Sequence, residues 1–157
     1  MNFSEFICFE ALIGDMKAQT RDEAVRELVE ALDKAKKLGK GNAEKIGKAI
    51  IKRENEASTG LGKGVAVPHV KSDVVKKVTC AVGLSKNGID FSSLDKELVY
   101  SVVLLVSPAD DPNKHLQAME VIFKNLQQEK FRKFLRQSET SEQIADLLRE
   151  ADETPFY

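Results

Sequence analysis

The two histidines are the side chains of this sequence best suited to chemistry near neutral pH. His69 and His115 are the only histidines among 157 residues. A neutral imidazole is a competent nucleophile and titrates close to neutrality, which suits transfer of a phosphoryl group. Pro68 stiffens the backbone that would present the His69 ring. Taken alone, each histidine is also compatible with a structural role, His69 at a strand end and His115 at the edge of a buried helix face.

A glycine-rich segment, STGLGKGVAVPH at residues 58–69, leads directly into the first histidine. Its three alternating glycines are Gly60, Gly62 and Gly64. They match neither G-x-x-x-x-G-K-[ST] nor G-x-G-x-x-G, so a nucleotide loop is disfavoured. Backbone N–H groups of glycines can approach an anion closely, and Ser58 and Thr59 add two hydroxyl donors. A plain helix-to-strand connection needs the same flexible residues, and both interpretations stay open on this evidence.

A phosphoryl site also needs a group that offsets negative charge, since such transfers depend on positioning and electrostatics. If the two histidines meet, one can carry the group while the other donates to it or orients it. Arg53, just before the glycine segment, is a candidate for the neutralising cation, and its alternative role is a cation at a helix C-terminus. Lys71 could offset phosphate charge or face solvent.

Two helices are predicted before the glycine segment. The capping box T-R-D-E at residues 20–23 begins the first, and apolar residues then recur at helical spacing. The second carries Ile46 and Ile50 inward and has Arg53 on its last turn.

Strand signals dominate the middle of the chain. GVAVPH is short and β-branched, and KVTCAVGLS alternates. ELVYSVVLLVS is apolar almost throughout, which is typical of a central strand covered on both faces. Asn87-Gly88 between the last two is a strong turn signal, although the segment after it is longer than a tight hairpin needs.

The last third returns to helix. Asp111 is a cap and Pro112 suits the first helical position, and further helices are predicted near residues 129–137 and from Thr140. In the helix that begins at Pro112, the residues predicted to form the buried stripe are Leu116, Met119, Phe123 and Leu126. Helices, then strands, then helices predict a single α/β domain over residues 1–157, a sandwich of a small mixed sheet flanked by helices.

Composition excludes several classes of function. The net charge is −1 and aromatic residues make up 6% without interleaving the basic run from Lys34 to Arg53, so nucleic-acid binding is disfavoured and that run is predicted to be a solvated face rather than a docking face. No apolar run spans a bilayer, and no signal peptide is evident, which predicts a cytoplasmic protein. Cys8 and Cys80 have no metal-ligand spacing and are predicted to be buried thiols.

Two sequence blocks resemble one known family. RENEASTGLGKGVAVPHVK, residues 53–71, closely resembles the signature of enzyme IIA domains of the fructose/mannitol type (type 2) in the bacterial phosphoenolpyruvate-dependent phosphotransferase system. That family includes the nitrogen-regulatory IIA proteins. LLVSPADDPNKHL resembles the family's proline-spacer-histidine-leucine segment. The helix after His115 is a looser match, which affects packing more than chemistry.

The resemblance implies a specific assignment of roles. His69 is then the phosphorylated nucleophile, linked through Nε2, with His115 and Arg53 in the same site. The residues implied to shape the phosphoryl pocket are Ser58, Thr59, Gly60, Gly62 and Gly64. The implied fold is a phosphotransferase/anion-transport-protein-like sandwich with a five-stranded-type sheet.

The resemblance also implies the partners. The donor is the phosphocarrier HPr or its nitrogen-branch counterpart, and the acceptor is a IIB component or, in a regulatory protein, a set of target proteins. No metal and no cofactor are implied. Membrane association is only indirect, through a IIB/IIC transporter.

Overall fold

The computed structural model describes residues 1–157 as five α-helices around one six-stranded sheet. The strands are β1 (Ile7–Ile13), β2 (Gly60–Gly62), β3 (Val65–Ala66), β4 (His69–Ser72), β5 (Thr79–Ile89) and β6 (Val99–Pro108). The helices are α1 (Arg21–Lys34), α2 (Ala43–Glu56), α3 (Pro112–Leu126), α4 (Glu129–Gln137) and α5 (Ser141–Glu153), after a 3-10 turn at Phe3–Glu5. None of these helices is both long and apolar enough to cross a bilayer.

The sheet is mixed, as predicted. Its order is β1-β5-β6-β3-β2, with β4 also paired to β6. The β5–β6 and β2–β3 pairs are antiparallel, and β1–β5, β3–β6 and β4–β6 are parallel. Six strands replace the five that the resemblance implied, because Val67-Pro68 separates β3 from β4 along the same edge of β6. Pro68 has no N–H for a ladder, and its carbonyl instead accepts from the N–H of Leu105 at 3.0 Å.

Helices cover both faces of the sheet. Helices α1 and α2 pack on one face, and α3, α4 and α5 pack on the other. Within β6, Leu104 and Val106 pack in the core under α1 and α2. Val103 and Leu105 pack in the core under α3, α4 and α5. The prediction of a central strand buried on both sides is therefore confirmed, because alternate side chains of a strand point to opposite faces.

The capping boxes predicted at the starts of α1 and α5 are confirmed by their contacts. The Thr20 hydroxyl accepts from the N–H of Glu23 at 3.2 Å, and the Glu23 carboxylate accepts from the N–H of Thr20 at 3.2 Å. Thr140 and Gln143 make the same reciprocal pair at the start of α5. Each pair satisfies backbone donors that have no partner inside the helix.

The turn predicted at Asn87-Gly88 is wrong. Both residues lie within β5, and the chain reverses only in residues 90–98. The pairing of β5 with β6 shifts register between Leu84 and Ile89, and Gly88 has a φ of 84°. A glycine with positive φ occurs in β-bulges as well as in hairpin turns. The dipeptide therefore lies at an irregularity of the strand here.

The predicted order of elements is wrong at the N-terminus and in the glycine segment. Strand β1 precedes both helices and pairs with β5, and this strand was not predicted. Gly60–Gly62 forms β2 rather than a simple loop, paired antiparallel with β3. Helices and strands therefore alternate more than the sequence indicated.

Of the buried stripe predicted for α3, Leu126 is confirmed as buried, and the other three positions are wrong. The buried residues of this helix are His115, Ala118, Ile122, Asn125 and Leu126. Leu116 is 64% exposed, and Met119 and Phe123 are only half-buried. The helix is rotated by about one position, which turns the histidine inward and leaves its leucine neighbour in solvent.

Candidate functional site

His69 is the first residue of β4, the strand that pairs in parallel with β6. Its partner across the ladder is Leu105, and its side chain is half-buried. Nδ1 lies 2.8 Å from the carbonyl oxygen of Val67. Because a carbonyl only accepts, Nδ1 carries the hydrogen and the lone pair lies on Nε2. The backbone that delivers the ring therefore also selects its tautomer.

His115 lies on α3, just past the first turn. The Asp111 carboxylate caps that turn by accepting from the N–H of Lys114 at 3.3 Å. The ring is buried, with 7% of the residue exposed, and its Nδ1 lies 2.8 Å from the hydroxyl of Ser107 at the end of β6. Burial, followed by the nearby His69 and Lys71, lowers the pKa of His115 to about 4. The imidazole is therefore neutral at physiological pH.

The structure brings the two histidines together. Their ring centroids are 5.6 Å apart, and the ring planes are inclined by 45°. Each Nδ1 is occupied by a neighbouring oxygen, and neither Nε2 has a hydrogen-bond partner within the protein. The two rings therefore lie side by side with the Nε2 atom of each free of hydrogen bonds to the protein, which leaves both atoms available to a ligand.

Arg53 makes its hydrogen bond elsewhere. It lies in the last turn of α2, and its Nη1 donates to the carbonyl of Ala57 at 2.8 Å. This contact is the helix-terminal role that the sequence left open as an alternative. The guanidinium is not bonded to either histidine, and its place in the site stays a prediction.

The two hydroxyls of the glycine segment are already bonded within the protein. The Ser58 hydroxyl donates to the carbonyl of Phe91 and accepts from the N–H of Gly60 at 2.9 Å. The Thr59 hydroxyl donates to the Glu54 carboxylate, and Thr59 is buried. Both side chains shape the segment, and their contact with a phosphoryl group stays a prediction.

Gly60 and Gly62 lie against the connection between β5 and β6, and Gly64 lies against the start of β6. A Cβ at Gly60 would overlap the Ser93 hydroxyl, one at Gly62 would lie 3.0 Å from the Asp95 carboxylate, and one at Gly64 would lie 3.3 Å from the Tyr100 ring. The φ angles of Gly62 and Gly64 are 86° and 81°, which other residues rarely adopt. Close packing and backbone shape therefore account for the glycines here, and their donation to a phosphate stays a prediction.

Two residues at the site were missed from the sequence. Ser107, which is fully buried, holds the His115 ring, and nothing in its local sequence marks it. Glu54 is also buried, with 3% exposed, and bonds Thr59. A signal for Glu54 was present, because it continues the inward spacing of Ile46 and Ile50 on α2 and so places an acid on an apolar helix face.

The shifted pKa of His115 predicts a pH-dependent stability. The pKa falls from its usual 6.5 to about 4 in the folded protein, so between these values the unfolded chain holds a proton that the folded protein does not. The free energy of unfolding is therefore greatest above about pH 6.5 on account of this group and falls as the pH drops toward 4. We expect a loss of about 1–3 kcal/mol between pH 7 and pH 4.5, measured by urea unfolding.

The matched variant for this measurement is His115→Gln, which cannot titrate. Carboxylates contribute to the same pH range in both proteins, so the difference between the two pH profiles isolates the histidine. Parallel profiles would show that His115 titrates as an ordinary exposed histidine.

The fold is shared with solved proteins of the phosphotransferase system. The nitrogen regulatory protein IIA-Ntr from Neisseria meningitidis superimposes with a TM-score of 0.83 over 93% of this chain and 98% of that one, at 23% identity. The IIA mannitol protein from Escherichia coli, solved in complex with phosphorylated IIB mannitol protein, gives a TM-score of 0.75 over 89% of this chain and 94% of that one, at 23% identity. These likenesses define the class of fold.

The sequence comparisons identify the family. Residues 6–151 match the model of the phosphoenolpyruvate-dependent sugar phosphotransferase system, EIIA 2. This chain is 32% identical over 152 residues to the fructose-specific EIIABC component of Bacillus subtilis, covering 97% of this chain and 24% of that protein. It is 35% identical over 105 residues to the fructose-specific EIIA component of Haloferax volcanii, covering 67% of this chain and 68% of that protein. The chain belongs to the EIIA type 2 family.

A nitrogen regulatory protein is among the relatives of similar length. The protein from Bradyrhizobium diazoefficiens is 29% identical over 148 residues, covering 94% of this chain and 95% of that protein. In contrast, the chain spans about a quarter of the Bacillus subtilis EIIABC component. The relatives thus include fructose-specific components of the phosphotransferase system and a nitrogen regulatory protein.

Proposed function

We propose that residues 1–157 act as one EIIA domain that carries a phosphoryl group on Nε2 of His69, received from phospho-HPr and passed to a IIB component. The observation that carries this proposal is the 5.6 Å approach of the two imidazole rings, each anchored through Nδ1. The proposed setting is the cytoplasm, with membrane association only through a IIB/IIC transporter. Family membership supports a phosphotransferase role.

In the proposed step, the lone pair of His69 Nε2 forms a bond to phosphorus while the bond from phosphorus to the donor histidine breaks. The electron pair of the broken bond stays on the donor nitrogen. His69 becomes more positive as the new bond forms, and the Nδ1–H donated to the Val67 carbonyl at 2.8 Å stabilises that charge. Both nitrogens belong to imidazole rings, so the same step can run in either direction.

His115 contributes to the same step as a neutral donor. If the Ser107 hydroxyl donates to Nδ1 of His115, its Nε2 carries the hydrogen and can bond a phosphoryl oxygen. Lys71, close enough to lower the pKa of His115, supplies positive charge nearby. Arg53 would join only by releasing the Ala57 carbonyl, and main-chain donors of residues 58–64 complete the proposed pocket.

The experiment is phosphorylation in a defined mixture of phosphoenolpyruvate, enzyme I and HPr. The expected result is the mass of one added phosphoryl group, placed on His69 by peptide mapping at alkaline pH, where phosphohistidine survives. Label on a different residue, or no label with an active HPr, would overturn the proposal. The same sample then serves for the acceptor test.

A regulatory role is the second candidate, favoured by the end-to-end match to a nitrogen regulatory protein. In that case the phosphorylation state of His69 would control binding to target proteins. Adding a purified fructose-type IIB protein to the labelled chain distinguishes the two. Rapid discharge supports transport, whereas a label that persists in the presence of several IIB proteins supports regulation.

Leu116 is expected to contribute to docking of the phosphoryl donor. It is 64% exposed and directly follows the buried His115, so a partner that reaches the histidines covers it. Burial of a leucine in an interface is worth about 1.5–3 kcal/mol, and Leu116→Glu should raise the KM for phospho-HPr by about tenfold or more. The maximal rate should change little, because the ring geometry is untouched.

The control for this variant is Leu94→Glu. Leu94 is 92% exposed on the connection between β5 and β6. Its substitution is expected to leave the KM for phospho-HPr within about twofold of wild type, as is usual for an isolated surface change. Equal KM values in the two variants would show that α3 is not the docking surface.

A further inference from the structure

Glu54 is a buried acid whose carboxylate bonds the chain that leads to His69. Only 3% of it is exposed, and it lies on the inward face of α2. Its carboxylate accepts two hydrogen bonds from one residue: the N–H of Thr59 at 3.0 Å and the Thr59 hydroxyl. A buried carboxylate is costly unless such bonds are made. The two bonds therefore fasten the start of the glycine segment to the end of α2.

Thr59 is also bonded to Val67, two residues before His69. The carbonyl of Thr59 accepts from the N–H of Val67 at 3.2 Å. Val67 is fully buried, and Pro68 restricts its backbone. The position of Val67 is therefore set on one side by Thr59 and on the other by the rigid dipeptide.

Val67 in turn bonds the histidine. Its carbonyl oxygen lies 2.8 Å from Nδ1 of His69. A continuous chain of hydrogen bonds thus runs from the Glu54 carboxylate through Thr59 and Val67 to the imidazole. No other carboxylate touches this chain, since Glu54 is the only acidic partner of Thr59.

We infer that Glu54 is a positioning residue for His69: through Thr59 it holds the Val67 carbonyl that keeps the imidazole in its Nδ1–H tautomer, with the Nε2 lone pair free. The effect on the tautomer follows from the geometry alone. Its effect on the rate of phosphorylation rests on the proposed function. Glu54 does not touch the reacting atoms.

The test is 15N NMR of the imidazole nitrogens of His69 in the unphosphorylated protein, with Glu54→Leu compared with wild type and Glu54→Gln. Wild type should show predominantly Nδ1–H. Glu54→Leu should shift the ratio of the two tautomers by about fivefold, the effect of weakening one neutral hydrogen bond. Glu54→Gln should remain close to wild type, because its amide can still accept from the Thr59 N–H while the hydroxyl rotates.

Glu27 provides a matched control on another helix. Its carboxylate likewise accepts from loop N–H groups, those of Lys17 and Ala18, at 2.9–3.2 Å. Glu27→Leu should leave the His69 tautomer ratio unchanged. If Glu54→Leu does not fold, Thr59→Val removes the hydroxyl bond alone and should give a smaller shift in the same direction.

The outcomes separate this inference from the proposed function. An unchanged tautomer ratio in a folded Glu54→Leu or, failing that, in Thr59→Val overturns the inference, as does an equal shift in Glu27→Leu. A tautomer shift in a protein that phospho-HPr does not label supports the positioning role and overturns the phosphocarrier role. Where both hold, the phosphorylation rate of Glu54→Leu falls by about fivefold and Glu54→Gln restores it.

Discussion

Replacing His69 by alanine is expected to abolish labelling from phosphoenolpyruvate, enzyme I and HPr. If His69 forms the covalent bond to the phosphoryl group, as proposed, its removal leaves no labelled product to accumulate. No other nucleophile is placed to substitute. His115 is 93% buried and bonded to Ser107, while Cys8 and Cys80 are both buried. Burial raises the pKa of both thiols, which keeps them protonated and unreactive at neutral pH. Labelling should fall to the background of a reaction without HPr.

The comparison of labelling between His69→Ala and wild type requires that both proteins are folded. His69 is half-buried and its side chain bonds only the Val67 carbonyl, so alanine should cost little stability. Thermal unfolding of the variant checks this point, and Leu94→Glu serves as a surface variant that should label normally. Undiminished labelling of a folded His69→Ala would show that the acceptor is another residue, and the peptide map would then identify it.

The covered central strand and the starts of two helices could be predicted because short-range patterns carry that information. Strand β6 is apolar at every core-facing position from Val102 to Val106, which only a strand buried on both faces requires. Helices α1 and α5 begin at sequence capping boxes whose contacts are entirely local. The meeting of His69 with His115 followed from family resemblance and not from spacing.

Other elements could not be predicted because they depend on packing between distant segments. The glycine at 88 adopts a positive φ that a turn and a bulge share, and only the pairing of β5 with β6 decides between them. The stripe on α3 was misplaced by one position because Leu116 and His115 are adjacent, and the sequence pattern favours burying the leucine. The structure buries the histidine instead, where Ser107 meets it.

The hydrogen-bond partners of the site were the least predictable part. Val67 and Ser107 bond the two rings through groups that carry no sequence signature, a backbone carbonyl and a single hydroxyl. Glu54 was predictable in principle from its place on an apolar helix face. Its partner was not, because the contact with Thr59 exists only once the glycine segment folds back on α2.

Replacing His115 by alanine is expected to leave phosphorylation of His69 possible while making transfer of the group to its acceptor slow. The His69 side chain and its bond to the Val67 carbonyl are unchanged in this variant. Under the proposed function, what is lost is one neutral donor to the phosphoryl oxygens, and removal of one such preorganised donor typically costs about 10²-fold in rate. The measurement is single-turnover discharge of the labelled protein by a purified IIB protein.

The pH profile and a conservative variant decide whether this loss comes from donation or from disturbed packing. Because burial lowers the pKa of His115 to about 4 in the unphosphorylated protein, its ionisation should give the rate at which His69 becomes labelled no inflection between pH 5 and 8. His115→Gln keeps an N–H donor at a similar reach and should recover part of the rate lost in His115→Ala. Ser107→Ala frees Nδ1 of His115, so the ring can exchange tautomers, and its rate should lie between the two. If His115→Ala discharges at the wild-type rate, the ring is only a buried neighbour of His69 and the stabilising donors must come from the backbone of residues 58–64.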